Sequence, residues 1–110
     1  MTSELEALGE HVAIATGSDR ELDRELDRVL TGDASTTPPD YTASVDRCID
    51  LVHLVLPGWA WHVGWDASGI LPYATLCRGR QRVEARAPTV PLALLRALVR
   101  ARKELARHER

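Results

Sequence analysis

The sequence predicts an α+β protein: two N-terminal helices, then helix, three-stranded antiparallel meander and helix in a layered sandwich. Three observations carry that expectation. Apolar residues Val45, Cys48, Ile49, Val52, Val55 and Leu56 recur at steps of three and four, the period of one helix face. Beyond Pro57-Gly58, residues Trp59, Trp61, Val63 and Trp65 recur at steps of two, the period of one strand face. Proline and glycine at the changeover stop the helix and permit the turn. Two further alternating or β-prone runs and one more amphipathic helix complete the order.

Length and composition set the bounds. A chain of 110 residues, 45% hydrophobic, suits one compact domain. It reads as a helical pair over 1–31, a flexible linker over 32–40 and an α-β-β-β-α core over 41–107. No apolar run reaches the roughly 20 residues of a membrane span, and membrane partners are not expected. The acidic start Met1-Thr2-Ser3-Glu4-Leu5-Glu6 lacks the basic-then-apolar pattern of an export signal, so a cytoplasmic location is expected. Cys48 and Cys77 both fall in regular structure, and reduced thiols are the expectation.

The elements follow in order. Residues 3–15 place Leu5, Leu8 and Val12 on one helix face before Thr16-Gly17. Ser18-Asp19-Arg20-Glu21 reads as a capping box opening a second helix to about Leu30. Its twice-repeated Glu-Leu-Asp-Arg pairs Glu21 with Arg24 and Glu25 with Arg28 on a solvated face. Paired prolines make 31–40 an extended, mobile tether. Thr42 or Ser44 is positioned to cap the third helix, with Asp46 in its first turn. Strand Trp59–Trp65 is joined to Ile70–Cys77 by a four-residue loop, Asp66-Ala67-Ser68-Gly69, which sets His62 opposite Tyr73. Pro72 marks a bulge or edge. The third strand, residues 81–87, alternates Val83, Ala85 and Ala87 with Arg82, Glu84 and Arg86. Thr89 caps the last helix, Pro91 is tolerated in its first turn, and Leu94, Leu95, Leu98, Val99 and Leu105 line its inner face.

Several of these segments resemble a known family. Tyr41-Thr42-Ala43-Ser44-Val45-Asp46, Leu56-Pro57-Gly58-Trp59-Ala60-Trp61, and Ala87-Pro88-Thr89 followed by Leu92-Ala93-Leu94 are similar to motifs of small phage and prophage proteins with a phage "ABA sandwich" domain. That family typically carries Tyr-Thr-x-Ser-x-Asp, Pro-Glu-Gly-Trp-x-Trp and an Ala-rich last helix after Ala-Thr-Pro. Here the glutamate between Pro57 and Gly58 is missing, and Ala-Pro-Thr replaces Ala-Thr-Pro. The resemblance spans about residues 18–106. It implies a layered fold and a phage origin, and it implies no chemistry.

Candidate sites are few. The three tryptophans, in a chain without phenylalanine, read as core, Trp61 deeply buried and Trp65 partly exposed beside the turn. The third and last helices are expected to share the tryptophan-lined sheet face, with the N-terminal pair covering the opposite face or a neighbouring subunit. The alternative for the stripe is an aromatic platform for bases or a partner. His53, His62, Tyr73 and Cys77 lack the spacing of a metal site and show no third group orienting a Cys–His pair. Asp46 and Asp50 lie at i, i+4 with Arg47 between them, a solvated arrangement. No glycine-rich phosphate loop is present. Catalytic residues, metals and cofactors are therefore not expected.

Charge is distributed unevenly. Residues 1–55 hold four arginines against twelve acids, a net −8, and residues 56–110 hold ten basic residues against four acids, a net +6. The halves, or two copies, could meet through that contrast. Arg78, Arg80 and Arg82 flank one turn, and Arg96, Arg100, Lys103 and Arg107 recur on the last helix. The element order is similar to that of the double-stranded RNA-binding fold, but Thr89-Val90-Pro91-Leu92 stands where that fold has its basic cluster. The first expectation is a non-enzymatic phage or prophage accessory protein acting by binding and self-associating as a homo-oligomer, with another protein as a further candidate partner. The alternatives are a nucleic-acid or nucleotide binder, such as a host-defence antagonist, using Arg78–Arg82 and the last helix, and a small hydrolase. Trp65, Arg78, Arg80, Arg82, Arg96, Arg100 and Lys103 are the candidate binding residues.

Overall fold

The computed structural model describes residues 3–33 and 36–108. In chain order it holds α1 (Ser3–Ile14), α2 (Arg20–Leu26) continuing as a π-helical turn (Asp27–Thr31), a 3-10 turn (Tyr41–Ala43), and α3 (Val45–Val55). Strands β1 (Ala60–Trp65), β2 (Pro72–Arg78) and β3 (Gln81–Arg86) follow, then α4 (Val90–His108). The sheet is an antiparallel meander in the order β1-β2-β3. The α+β class and the element order are those expected from the sequence.

The core forms around α4. Its Leu92, Leu94, Leu95 and Leu98 are fully buried, while Ala93, Ala97 and Ala101 let neighbours approach closely. α4 lies against β2 and β3, meeting Ala74, Leu76, Val83 and Ala85, with α1 and α3 packed beside it. Leu8, Val12, Leu22 and Leu26 of the N-terminal helices belong to this same buried cluster. α1 packs on α4, and α2 packs on α1 and the Tyr41–Ala43 turn, so the pair does not cover the opposite sheet face, contrary to the sequence expectation. That face carries His62, Tyr73, Cys77, Arg82, Glu84 and Arg86.

Local details differ in instructive ways. Asp19, not Ser18, caps α2: its carboxylate accepts from the Leu22 amide at 3.1 Å. Ser44 caps α3 through the Arg47 amide at 3.2 Å, and Thr89 caps α4 through the Leu92 amide at 3.2 Å. Glu25 pairs with His11 and Arg28 with Glu4, each at 2.7 Å, so the repeated Glu-Leu-Asp-Arg face binds α1 in place of its own neighbours. In the expected linker, Ala34 and Ser35 lie outside the described residues. Pro38 is buried, and its carbonyl accepts from Arg20 at 2.8 Å.

The hairpin loop is longer than expected. Asp66 accepts from the Ser68 amide and hydroxyl, Gly69 sits at φ +73°, and β2 starts only at Pro72. His62 therefore faces Thr75 and Gly64 faces Tyr73. The shift is two residues, so every side chain keeps its expected face.

Candidate functional site

β1 is the least covered part of the sheet. Trp61, Val63 and Trp65 lie on the same face as Ala74, Leu76, Val83 and Ala85, but α4 is centred over β2 and β3 and meets β1 little. Trp59, just before the strand, is 6% exposed, Trp61 40% and Trp65 58%. The deep burial expected of Trp61 is thus wrong: alternation assigned its face correctly, and no helix covers that end of the face. Ile70 and Leu71 in the adjoining loop are exposed as well.

The backbone of β1 is also open on one side. The Asp66 amide donates to Leu71 O at 3.0 Å, and Pro72 O accepts from the Ala87 amide of the β3 side. Hydrogen-bonded pairs alternate along an antiparallel ladder. Ala60, His62 and Gly64 therefore direct their peptide groups at β2, while those of Trp61, Val63 and Trp65 point away from the sheet.

The opposite edge is closed. By the same alternation Arg82, Glu84 and Arg86 of β3 point their peptide groups outward. Arg96 donates to Arg86 O at 2.8 Å and Arg100 donates to Glu84 O. Arg96 also donates to Val12 O, Ala13 O and Ala15 O at the C-terminal end of α1. There a cation satisfies carbonyls the helix leaves unpaired. Burial, with Arg100 adding to it, pulls the Arg96 pKa below the usual arginine value.

The predicted basic residues consequently divide. Arg78 stacks its guanidinium 5.7 Å from the Trp59 ring and bonds Gln81 at 3.3 Å. Arg80 is exposed at the turn, and Arg82 lies 3.8 Å from Glu84. Arg96 and Arg100 are committed to backbone carbonyls. Lys103 lines a groove of about 440 Å³ between α1 and α4, together with Gly9, Glu10, Arg100 and Arg107. Trp65 stands at the hairpin end of the sheet and Arg80 at the other, roughly 20 Å away along strands of this length. They form no single patch. Every ion pair among the described residues joins partners within 1–55 or within 56–110. The two oppositely charged halves therefore do not meet through ion pairs there.

The remaining candidates are dispersed. His62 and Tyr73 share a 3.1 Å hydrogen bond, His53 is exposed on α3, and Cys77 is half-buried. Asp50 lies 3.8 Å from Arg47. Among the described residues no group of three or more His, Cys, Asp and Glu is arranged to hold a metal, and no helix is long and apolar enough to cross a membrane.

One cluster was missed by the sequence reading. Asp23 and Asp27, assigned to a solvated face, are buried. Asp23 takes Arg20 at 2.9 Å and both the amide and hydroxyl of Thr42 at 2.8 Å. Asp27 accepts from the Tyr41 hydroxyl at 2.9 Å. Burial, then the bond to Asp27, raises the Tyr41 pKa, and burial followed by the charge of Asp23 raises that of Cys48. The Cys48 thiol donates to Tyr41 O at 3.0 Å, so it is a protonated structural group. Acids spaced four apart beside the Tyr-Thr start of α3 were the only available signal.

No family model, curated relative or solved structure matches this chain.

Proposed function

We propose that this protein is a phage accessory factor that acts by binding another polypeptide along β1; the resemblance to small phage proteins supports the origin, and the exposed strand supports the binding. The carrying observation is the coincidence, on one strand, of outward-pointing peptide groups and two exposed indoles. An extended segment added to that edge would gain main-chain hydrogen bonds, and Trp61 and Trp65 would supply apolar contact. No catalytic step is assigned to Cys77, His53, His62 or Tyr73 in this reading.

Fluorescence anisotropy of a dye-labelled, extended peptide of alternating threonine and valine tests it. Saturable binding that tolerates salt and weakens at least tenfold in Trp65→Lys is expected. Equal binding to wild type and Trp65→Lys overturns the reading.

A second reading rests on Arg80, exposed between Arg78 and Arg82 at the β2–β3 turn. It makes that turn a contact for phosphates of a nucleic acid or nucleotide. Binding of a labelled duplex should then fall steeply with salt, and Arg80→Ala should lower the salt slope by about one.

A further inference from the structure

We infer that the partner on the β1 edge is a second copy of this chain, joined by antiparallel β1–β1 pairing about a two-fold axis at Val63. The inference rests on the reading of β1 as a binding edge and adds the occupant and the register.

The two edges of the sheet are treated differently by the sequence. Protein sheets blunt free edges with charge, proline or a covering group. β3 has both charge and cover: Arg82, Glu84 and Arg86 in the strand, and Arg96 and Arg100 on its outward carbonyls. β1, Ala-Trp-His-Val-Gly-Trp, contains no Asp, Glu, Lys, Arg or Pro.

Geometry then selects the register. Residues opposite each other in an antiparallel pair share a face, and the outward peptide groups belong to Trp61, Val63 and Trp65. Centring the axis on Val63 sets Val63 against its own copy and Trp61 against Trp65 of the other chain, twice. Each of these pairs exchanges two main-chain hydrogen bonds, and all their side chains fall on the helix-bearing face. Faces and hydrogen bonds are satisfied together, as a self-complementary two-fold contact requires. The result is one continuous six-stranded sheet in which four indoles leave water in cross-strand pairs.

Charge decides between the edges. Pairing β3 with itself about Glu84 would set Glu84 against Glu84 and Arg82 against Arg86, like charges directly opposed. Pairing β1 with itself opposes no charges.

Sedimentation equilibrium of the full chain over a range of concentrations tests the inference. A dimer mass insensitive to salt is expected, with Trp65→Lys weakening association at least tenfold while its far-UV circular dichroism stays that of wild type and its melt matches wild type at concentrations low enough to suppress association. Register is tested in a Cys77→Ser background. A hydrogen-bonded pair spaces its Cα atoms at about 5.5 Å, within disulfide range. Val63→Cys should therefore cross-link under mild oxidant faster than Ala60→Cys. A monomer at every concentration, a dimer that salt dissociates, or cross-linking no faster at 63 than at 60 overturns the inference. A monomer that still binds the threonine–valine peptide overturns only the second copy, and one that binds nothing overturns the edge reading too.

Discussion

Asp23 holds Thr42 twice: one carboxylate oxygen accepts both the backbone amide and the side-chain hydroxyl of Thr42, each at 2.8 Å. The other oxygen takes Arg20 at 2.9 Å. This ties α2 to the turn before α3 across the proline-containing segment.

Asp23→Ala should accordingly cost about 2–5 kcal/mol, since the buried amide and hydroxyl of Thr42 lose their acceptor at about 1–3 kcal/mol each, while the half-exposed Arg20 regains water. Thr42→Val, which keeps the amide bond and loses the hydroxyl, should cost about 1–3 kcal/mol. Urea unfolding of both variants measures the difference, and equal midpoints would show that the hydroxyl, which also accepts from the Asp19 amide at 2.8 Å, contributes as much as the Asp23 carboxylate.

The tryptophans should rank by cover. Trp59→Ala is expected to lose about 3–5 kcal/mol, as buried aromatic truncations do. Trp65→Ala should cost about 0.5 kcal/mol or less and Trp61→Ala about 1–2 kcal/mol, measured at concentrations low enough to suppress association. Thermal melts of the three single variants check the order.

Arg96→Ala should destabilise by about 2–3 kcal/mol, since its guanidinium serves carbonyls of both α1 and β3. Arg96→Lys should recover only part of that, because an ammonium lacks the fork that reaches several acceptors. Urea midpoints report the loss. Hydrogen exchange should show α1 loosening before β2.

Stability should fall in alkali. Cys48 and Tyr41 are neutral in the fold, with pKa values raised above their ordinary 9.0 and 10.0. The native state keeps these protons when the unfolded chain has lost them. Their contribution is full below the ordinary values and disappears as pH rises toward the raised ones, at up to about 1.4 kcal/mol per pH unit for each proton. Between pH 9 and 10, Cys48→Ala should flatten the decline in a series of urea midpoints; an unchanged slope would remove Cys48 from the account.

The sequence disclosed periodicity more readily than cover. Steps of two placed Trp61, Val63 and Trp65 on one face, as found, but alternation within β1 carries no information on which strands a helix lies across, and α4 sits over β2 and β3. The basic stripe on α4 looked like a surface because the acceptors of Arg96 and Arg100 are main-chain carbonyls, which residue types do not reveal. The acids of the Glu-Leu-Asp-Arg repeats looked solvated because their partners Tyr41 and Thr42 lie across the linker. Caps at Ser44 and Thr89 were legible because they depend on three neighbouring residues.

Because α4 is the element that the sheet, α1 and α3 all lean on, and because it follows them in the chain, the ribosome exposes a problem before it delivers the solution. While residues 1–89 emerge, the apolar face of the three-stranded sheet has no helix to close against. Domains settle during synthesis only once their mutual contacts exist, and here the packing of helix on sheet is made by residues 90–108. A nascent chain stalled short of that helix would be a substrate for chaperones and proteases, so message truncated there would yield no partial product of use.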